Sequence, residues 1–172
     1  MKRETLLLEL EDGIDHVRGP ADGPLVLEYG DYECPYSRQA FRAIERVERT
    51  DDVRFAFRHF PLTEIHPNAL AAAAAAEAAA LQGRFWEMHD RLFHRQHALE
   101  DDDLRRYAAD LGLDVSRYER DRFSPEVLAR IERDRASGEA SGEVQGTPTL
   151  FIDGVVHRGG YEVPTLLEAL AR

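Results

Sequence analysis

The sequence predicts an α/β fold interrupted by an all-helical subdomain, and three observations carry that prediction. An apolar run, Leu25–Tyr29, hands over to a helix signal at Pro35. After Phe60-Pro61 the pattern turns helical and stays so through residue 139. Strand signals return only at Thr149-Leu150-Phe151-Ile152, ahead of a closing helix. With 172 residues, 43% of them hydrophobic, the chain suits one domain with an insertion and can bury a full core.

Each element follows from its local pattern. Leu6–Leu10 is a short candidate strand, and Gly19-Pro20-Ala21-Asp22-Gly23-Pro24 is a turn. Leu25–Tyr29 has too little polar alternation for a surface strand, so it is expected at the sheet centre, buried on both faces. A helix from Pro35 to about Glu48 follows, with Phe41, Ile44 and Val47 at helical spacing. Val53–Arg58 alternates, which places Val53, Phe55 and Phe57 inward. Asn68–Gln82 is alanine-rich with high helix propensity, and Gly83 ends it. Arg84–Arg95 is a second helix with Phe85, Trp86, Met88, Leu92 and Phe93 as its core residues. Glu100–Leu111 places Asp101, Asp102 and Asp103 in its first turn, where the helix dipole favours acids. Asp114–Asp121 is short, and Ser124-Pro125-Glu126 caps a helix running to about Ser137. Asp153-Gly154 is a two-residue hairpin signal between Thr149–Ile152 and Val155–Arg158, and Val163–Arg172 closes the chain as a helix.

Composition narrows the function. The net charge is −11, from 33 acidic and 22 basic side chains, which argues against nucleic acid as a partner. The single cysteine, Cys34, excludes an intramolecular disulfide and a cysteine-rich zinc site. His89, His94 and His97 are close in sequence, but no carboxylate or cysteine completes a tetrahedral set with them. No metal site is therefore expected, and these histidines are read as exposed helix residues. The stretch Met1–Leu10 starts like a signal peptide, yet Glu9 and Glu11 cut the apolar run and no small-residue cleavage site follows. The alanine-rich run at Ala69–Leu81 is too short and too weakly apolar to span a membrane. These features predict a cytoplasmic protein without a membrane segment, and leave the oligomeric state open.

The chemistry-bearing stretch is Cys34-Pro35-Tyr36-Ser37. A cysteine at a strand-to-helix junction faces the unpaired N–H groups and the positive dipole end of the helix. Thiols so placed ionise at about pH 3.5–7.5, against about 8.5 for a free cysteine. Pro35 suits the first helical position, where its missing N–H is no loss. The Ser37 hydroxyl lies one turn along and can donate to a thiolate. Asp31 and Glu33 work against the thiolate by like charge, so a moderate lowering of the thiol pKa is expected.

This stretch resembles the active site of the DsbA-like branch of the thioredoxin superfamily, whose motif is Cys-x-x-Cys, with Ser37 in place of the second cysteine. Further segments share the resemblance: Phe57-Arg58-His59-Phe60-Pro61-Leu62, His66-Pro67, Gly83-Arg84-Phe85-Trp86-Glu87-Met88-His89 and Gly146-Thr147-Pro148-Thr149. It implies a thioredoxin fold: a central mixed β-sheet flanked by helices, formed by residues 1–61 and 140–172, with residues 62–139 as the inserted helical subdomain. It also implies a cis bond at Thr147-Pro148 facing Cys34, so that an extended substrate could pair with the backbone of Thr147. Glu28, on the central strand behind the thiol, matches the family's buried proton-shuttling acid. His59 and His66 match structural positions.

One thiol can perform only half of a dithiol cycle. The expected activity is thiol-disulfide exchange through a mixed disulfide on Cys34, resolved by an external thiol such as glutathione or an equivalent small thiol. Cys34, Ser37 and Glu28 are the candidate catalytic residues; Pro35, Tyr36, Thr147 and Pro148 are the candidate substrate-binding residues. No bound cofactor is expected, and the partners would be protein or small-molecule disulfides. Two other readings compete: a catalytically degenerate peptide-binding or chaperone module, and a glutathione-dependent transferase or isomerase. A serine at residue 37 fits either a natural monothiol site or a Cys→Ser replacement.

Overall fold

The computed structural model describes residues 8–172. Its sheet has the strand order β1 (His16–Arg18), β3 (Arg54–His59), β2 (Leu25–Gly30), β4 (Thr149–Ile152), β5 (Val155–Val156), with β2 at the centre. Strand β2 runs parallel to β3 (Arg54–His59) and antiparallel to β4 (Thr149–Ile152). Both faces of β2 are covered, as its lack of polar alternation predicts. Val26 packs with Phe55, Phe57 and Leu150 into the larger core cluster, while Leu27 and Tyr29 join Ala56 and Phe151 on the opposite face. The same double burial holds on β3, where Ala56 and Arg58 are as enclosed as Phe55 and Phe57. The alternation there separates two buried faces rather than core from solvent.

Helix α1 (Pro35–Thr50) begins at the predicted proline and buries Phe41, Ile44 and Val47. It packs beside the closing helix α7 (Val163–Leu170). The hairpin forms at Asp153-Gly154, with φ of 48° and 85°, the left-handed pair that such a turn requires. Its return strand β5 is only Val155–Val156.

Between β3 and β4 lie five helices: α2 (Ala69–Ala80), α3 (Phe85–His94), α4 (Asp101–Asp110), α5 (Val115–Asp121) and α6 (Pro125–Ser141). Asp114 and Ser124 cap α5 and α6 by accepting from the N–H groups of Arg117 and Val127. Helix α6 runs beyond the expected Ser137 and ends at Gly142 in the left-handed region. This block shares one apolar cluster with the sheet, since Ala72, Met88 and Leu104 pack in the same core as Phe57 and Val26. Helix α6 reaches the sheet closely at Gly138, where a Cβ would lie 3.0 Å from the Phe60 ring and 3.1 Å from that of Tyr29. No helix among the described residues is long and apolar enough to cross a membrane.

Two expectations need correction. The candidate strand Leu6–Leu10 lies partly outside the described residues, and Leu8–Leu10 form no strand, although the Leu8 N–H donates to the Gly154 carbonyl. The edge strand is instead β1, His16–Arg18, antiparallel to β3. His89 is not an exposed helix histidine but is wholly enclosed among Phe41, Phe57, Phe85 and Phe93. Its place is set by spacing: it falls one turn after Phe85 and one before Phe93, on the buried face. His94 and His97 are exposed, as expected.

Candidate active site

The strand β2 ends at Gly30 and α1 starts at Pro35, five residues later, so Cys34 is the N-cap of α1 with Pro35 in the first turn. Only 3% of Cys34 is exposed. Its thiol donates to the Thr147 carbonyl across 3.4 Å, and the Thr147–Pro148 bond is cis. Cys34, Thr147 and Pro148 are therefore brought together from opposite ends of the chain. Pro35 is exposed, and Tyr36 is 61% exposed beside the thiol.

Ser37 is fully buried, but it does not serve the sulfur as expected. Its hydroxyl oxygen accepts from the Asp31 N–H at 3.3 Å, which ties the start of α1 to the turn before it. The two acidic neighbours are both engaged by hydrogen-bond donors. The Asp31 carboxylate accepts from the N–H groups of Glu33 and Leu62 and from Nδ1 of His66, all within 2.9 Å. The Glu33 carboxylate accepts from the Asn68 N–H at 2.6 Å, before α2.

Glu28 is completely buried on the face of β2 that carries Val26, paired with Phe57 on one side and Leu150 on the other. Neither carboxylate oxygen has a hydrogen-bond partner among the described residues. Burial pushes its pKa up to about 8, with the charge of Arg18 pulling the other way. Gly30 makes room for it: a Cβ there would lie 2.8 Å from Oε1 of Glu28. The acid is thus kept protonated near neutral pH by its surroundings, and can take up or release a proton within the physiological range.

Two residues near the site carried no sequence signal. Gln96, in the loop between α3 and α4, donates from Nε2 to the carbonyls of Tyr32 and Cys34 at 2.9 and 2.8 Å. Tyr161, just before α7, has its phenol pKa raised by burial and then by the nearby Cys34. His59, Glu77 and Asp134 converge in the interior, and both carboxylates are already engaged by donors. Glu77 accepts from His16 and His59 at 2.8 and 2.7 Å; Asp134 accepts from Arg130, Arg133 and the His59 N–H. The guanidiniums beside Asp134 oppose a further cation, so this cluster is an ion-pair network.

The thioredoxin family model matches residues 11–171, and the chain belongs to that family. A thioredoxin-like oxidoreductase from Silicibacter pomeroyi superposes with a TM-score of 0.83 at 31% identity, covering 94% of this chain and 92% of that one. The thiol-disulfide exchange protein α-DsbA2 from Wolbachia pipientis has the same fold, with a TM-score of 0.81 at 18% identity over 93% of this chain and 87% of its own. The expected thioredoxin fold with a helical insertion is therefore the one observed. Among curated relatives, a protein named Na(+)/H(+) antiporter NhaA 1 from Mycolicibacterium vanbaalenii is 46% identical over 170 residues. That match covers 96% of this chain and 27% of the relative. One from Herminiimonas arsenicoxydans, named Na(+)/H(+) antiporter NhaA, is 48% identical over 160 residues, covering 91% of this chain and 25% of its own. The chain spans about a quarter of the length of these curated relatives.

Proposed function

We propose that this protein is a thiol-disulfide oxidoreductase of the DsbA-like type that works through a single thiol. The observation that carries the reading is Cys34 at the N-cap of α1, with its sulfur 3.4 Å from the Thr147 carbonyl before a cis proline. The helix N-terminus favours a negative sulfur. The thiolate attacks one sulfur of a disulfide RS–SR′, forming Cys34–S–SR and releasing R′S⁻. An external thiolate, from glutathione or an equivalent small thiol, then attacks the mixed disulfide. That step returns the Cys34 thiolate and leaves R joined to the incoming thiol as a disulfide. Ionisation of Cys34 also removes its hydrogen bond to Thr147, which frees that carbonyl to accept from an extended substrate. Glu28, on the strand that leads to the thiol, serves as the proton reservoir, and Pro35 and Tyr36 present the exposed rim.

The transferase reading lacks a comparable support. A cavity of about 480 Å³ does lie between the segment at Gly13–His16 and helices α2 and α6, but Cys34 is not among its lining residues. Intact-mass measurement after incubation with oxidised glutathione tests the exchange reading. A single adduct is expected on Cys34, growing faster as pH rises through the thiol's ionisation and removed by excess thiol. No adduct on the folded protein would sink the reading and favour a non-catalytic module. A Ser37→Cys variant, which supplies a resolving thiol one turn along α1, is expected to reduce insulin where the parent does not; an inactive variant would show that more than the second thiol is missing.

A further inference from the structure

We propose that Gln96 is a positioning residue for the Cys34 thiol, acting by fixing the turn that carries the nucleophile to the helical insertion. The inference rests on the exchange reading above. Every residue of the turn Asp31–Cys34 bonds to the segment between β3 and α4. Asp31 takes the Leu62 N–H and His66; the Tyr32 hydroxyl meets Nδ1 of His89 at 2.9 Å; Glu33 takes the Asn68 N–H. Gln96 completes the set by bridging the carbonyls of Tyr32 and Cys34 with one nitrogen.

Both N–H bonds of that amide have an acceptor, and the acceptors are backbone carbonyls flanking Glu33. A neutral NH₂ at this reach is a property of glutamine. Glutamate would set a carboxylate against two carbonyl oxygens, and asparagine is one methylene short. The Cys34 carbonyl that Gln96 holds also accepts the Arg38 N–H at 3.1 Å, the first hydrogen bond of α1. The amide therefore bears on the orientation of the helix start relative to the sulfur. Disulfide exchange requires the attacking sulfur to approach along the S–S axis, so its rate depends on where the turn points the thiol. Alkylation by a small reagent such as iodoacetamide tolerates many approach directions and depends mainly on thiolate content.

The test compares the parent with Gln96→Met, which keeps the length and removes both donors. Adduct formation from oxidised glutathione and alkylation by iodoacetamide are followed by intact mass across pH. The exchange rate of the variant is expected to fall about 10-fold at every pH, with an unchanged midpoint and alkylation within about 2-fold of the parent. Gln96→Asn is expected to fall between the two. Exchange within about 2-fold of the parent, or exchange and alkylation falling in parallel, would overturn the proposal. A parent that forms no adduct would sink the exchange reading first. Amide hydrogen exchange then decides the anchoring alone: faster exchange at Cys34 and Arg38 in Gln96→Met supports it, and unchanged protection overturns it.

Discussion

Asp15→Asn is expected to lower the unfolding free energy at pH 7 by about 3–5 kcal/mol, the range seen when one partner of a buried ion pair is removed. The Asp15 and Arg58 side chains are 1% and 3% exposed and meet in a bidentate pair, at 2.9 and 2.7 Å. Arg133 adds two more contacts to the same carboxylate at 3.0 and 3.4 Å, and the Glu11 N–H a fifth at 2.7 Å. Arg58 continues to the Tyr29 hydroxyl and the Glu9 carbonyl. The network thus joins the segment before β1, the two central strands and α6. Asparagine keeps the shape but leaves the Arg58 guanidinium buried without its counter-charge. Burial opposes the charge of Asp15, yet Arg58 and Arg133 hold its carboxyl well below the usual range. A depressed acid contributes stability above its unfolded pKa of 3.8 and loses it as pH falls through the folded value. The deficit of the variant should therefore shrink on acidification below about pH 4. Urea melts at pH 7 and pH 3 check both parts; a deficit under about 1 kcal/mol at pH 7 would show that the pair is not a clamp.

Why some of this could be read in advance and some could not follows from the range of each interaction. Pro35 at a helix start, Ser124 as a cap and Asp153-Gly154 as a hairpin turn act within a few residues, and all three lie where local rules put them. The Cys34–Thr147 pairing spans 113 positions and was legible only through the family resemblance of two separated motifs. Nothing local marks Asp15 and Arg58 as partners, since 43 positions separate them and either alone reads as an ordinary surface charge. Gln96 is silent for the same reason: its acceptors are carbonyls, which every residue has. Strand β1 is three half-buried residues whose one neighbour is β3, too short for alternation to speak. The burial of Glu28 is implied in the sequence only by the family resemblance, and in the fold it follows from pairing with Phe57 and Leu150 on a strand covered on both faces. Ser37 shows the reverse, a correct location with a different partner, because its hydroxyl bonds to the Asp31 amide.

Glu28→Gln is expected to make the protein more resistant to unfolding at alkaline pH, although it alters the candidate active site. The ordinary value for this acid is 4.5, and burial raises it to about 8 in the folded protein. Between those values the folded state holds a proton that the unfolded chain has lost, so stability falls as pH rises through the window. The slope is about 1.4 kcal/mol per pH unit, and the whole window amounts to roughly 5 kcal/mol. Glutamine mimics the protonated acid and does not titrate. The stability difference between variant and parent should therefore be flat below about pH 4.5, climb in favour of the variant up to about pH 8, and then level. Its absolute offset includes the extra N–H that glutamine brings to a site without partners, a penalty of about 1–3 kcal/mol. The pH-dependent rise is free of that offset. Chemical denaturation of parent and variant from pH 4 to pH 9 gives the difference curve, and a curve without slope between pH 5 and pH 8 would mean that Glu28 is solvated or paired in solution. An acid that destabilises the fold when charged has a thermodynamic reason to stay protonated near neutral pH, which is what the proposed role of Glu28 as a proton reservoir requires.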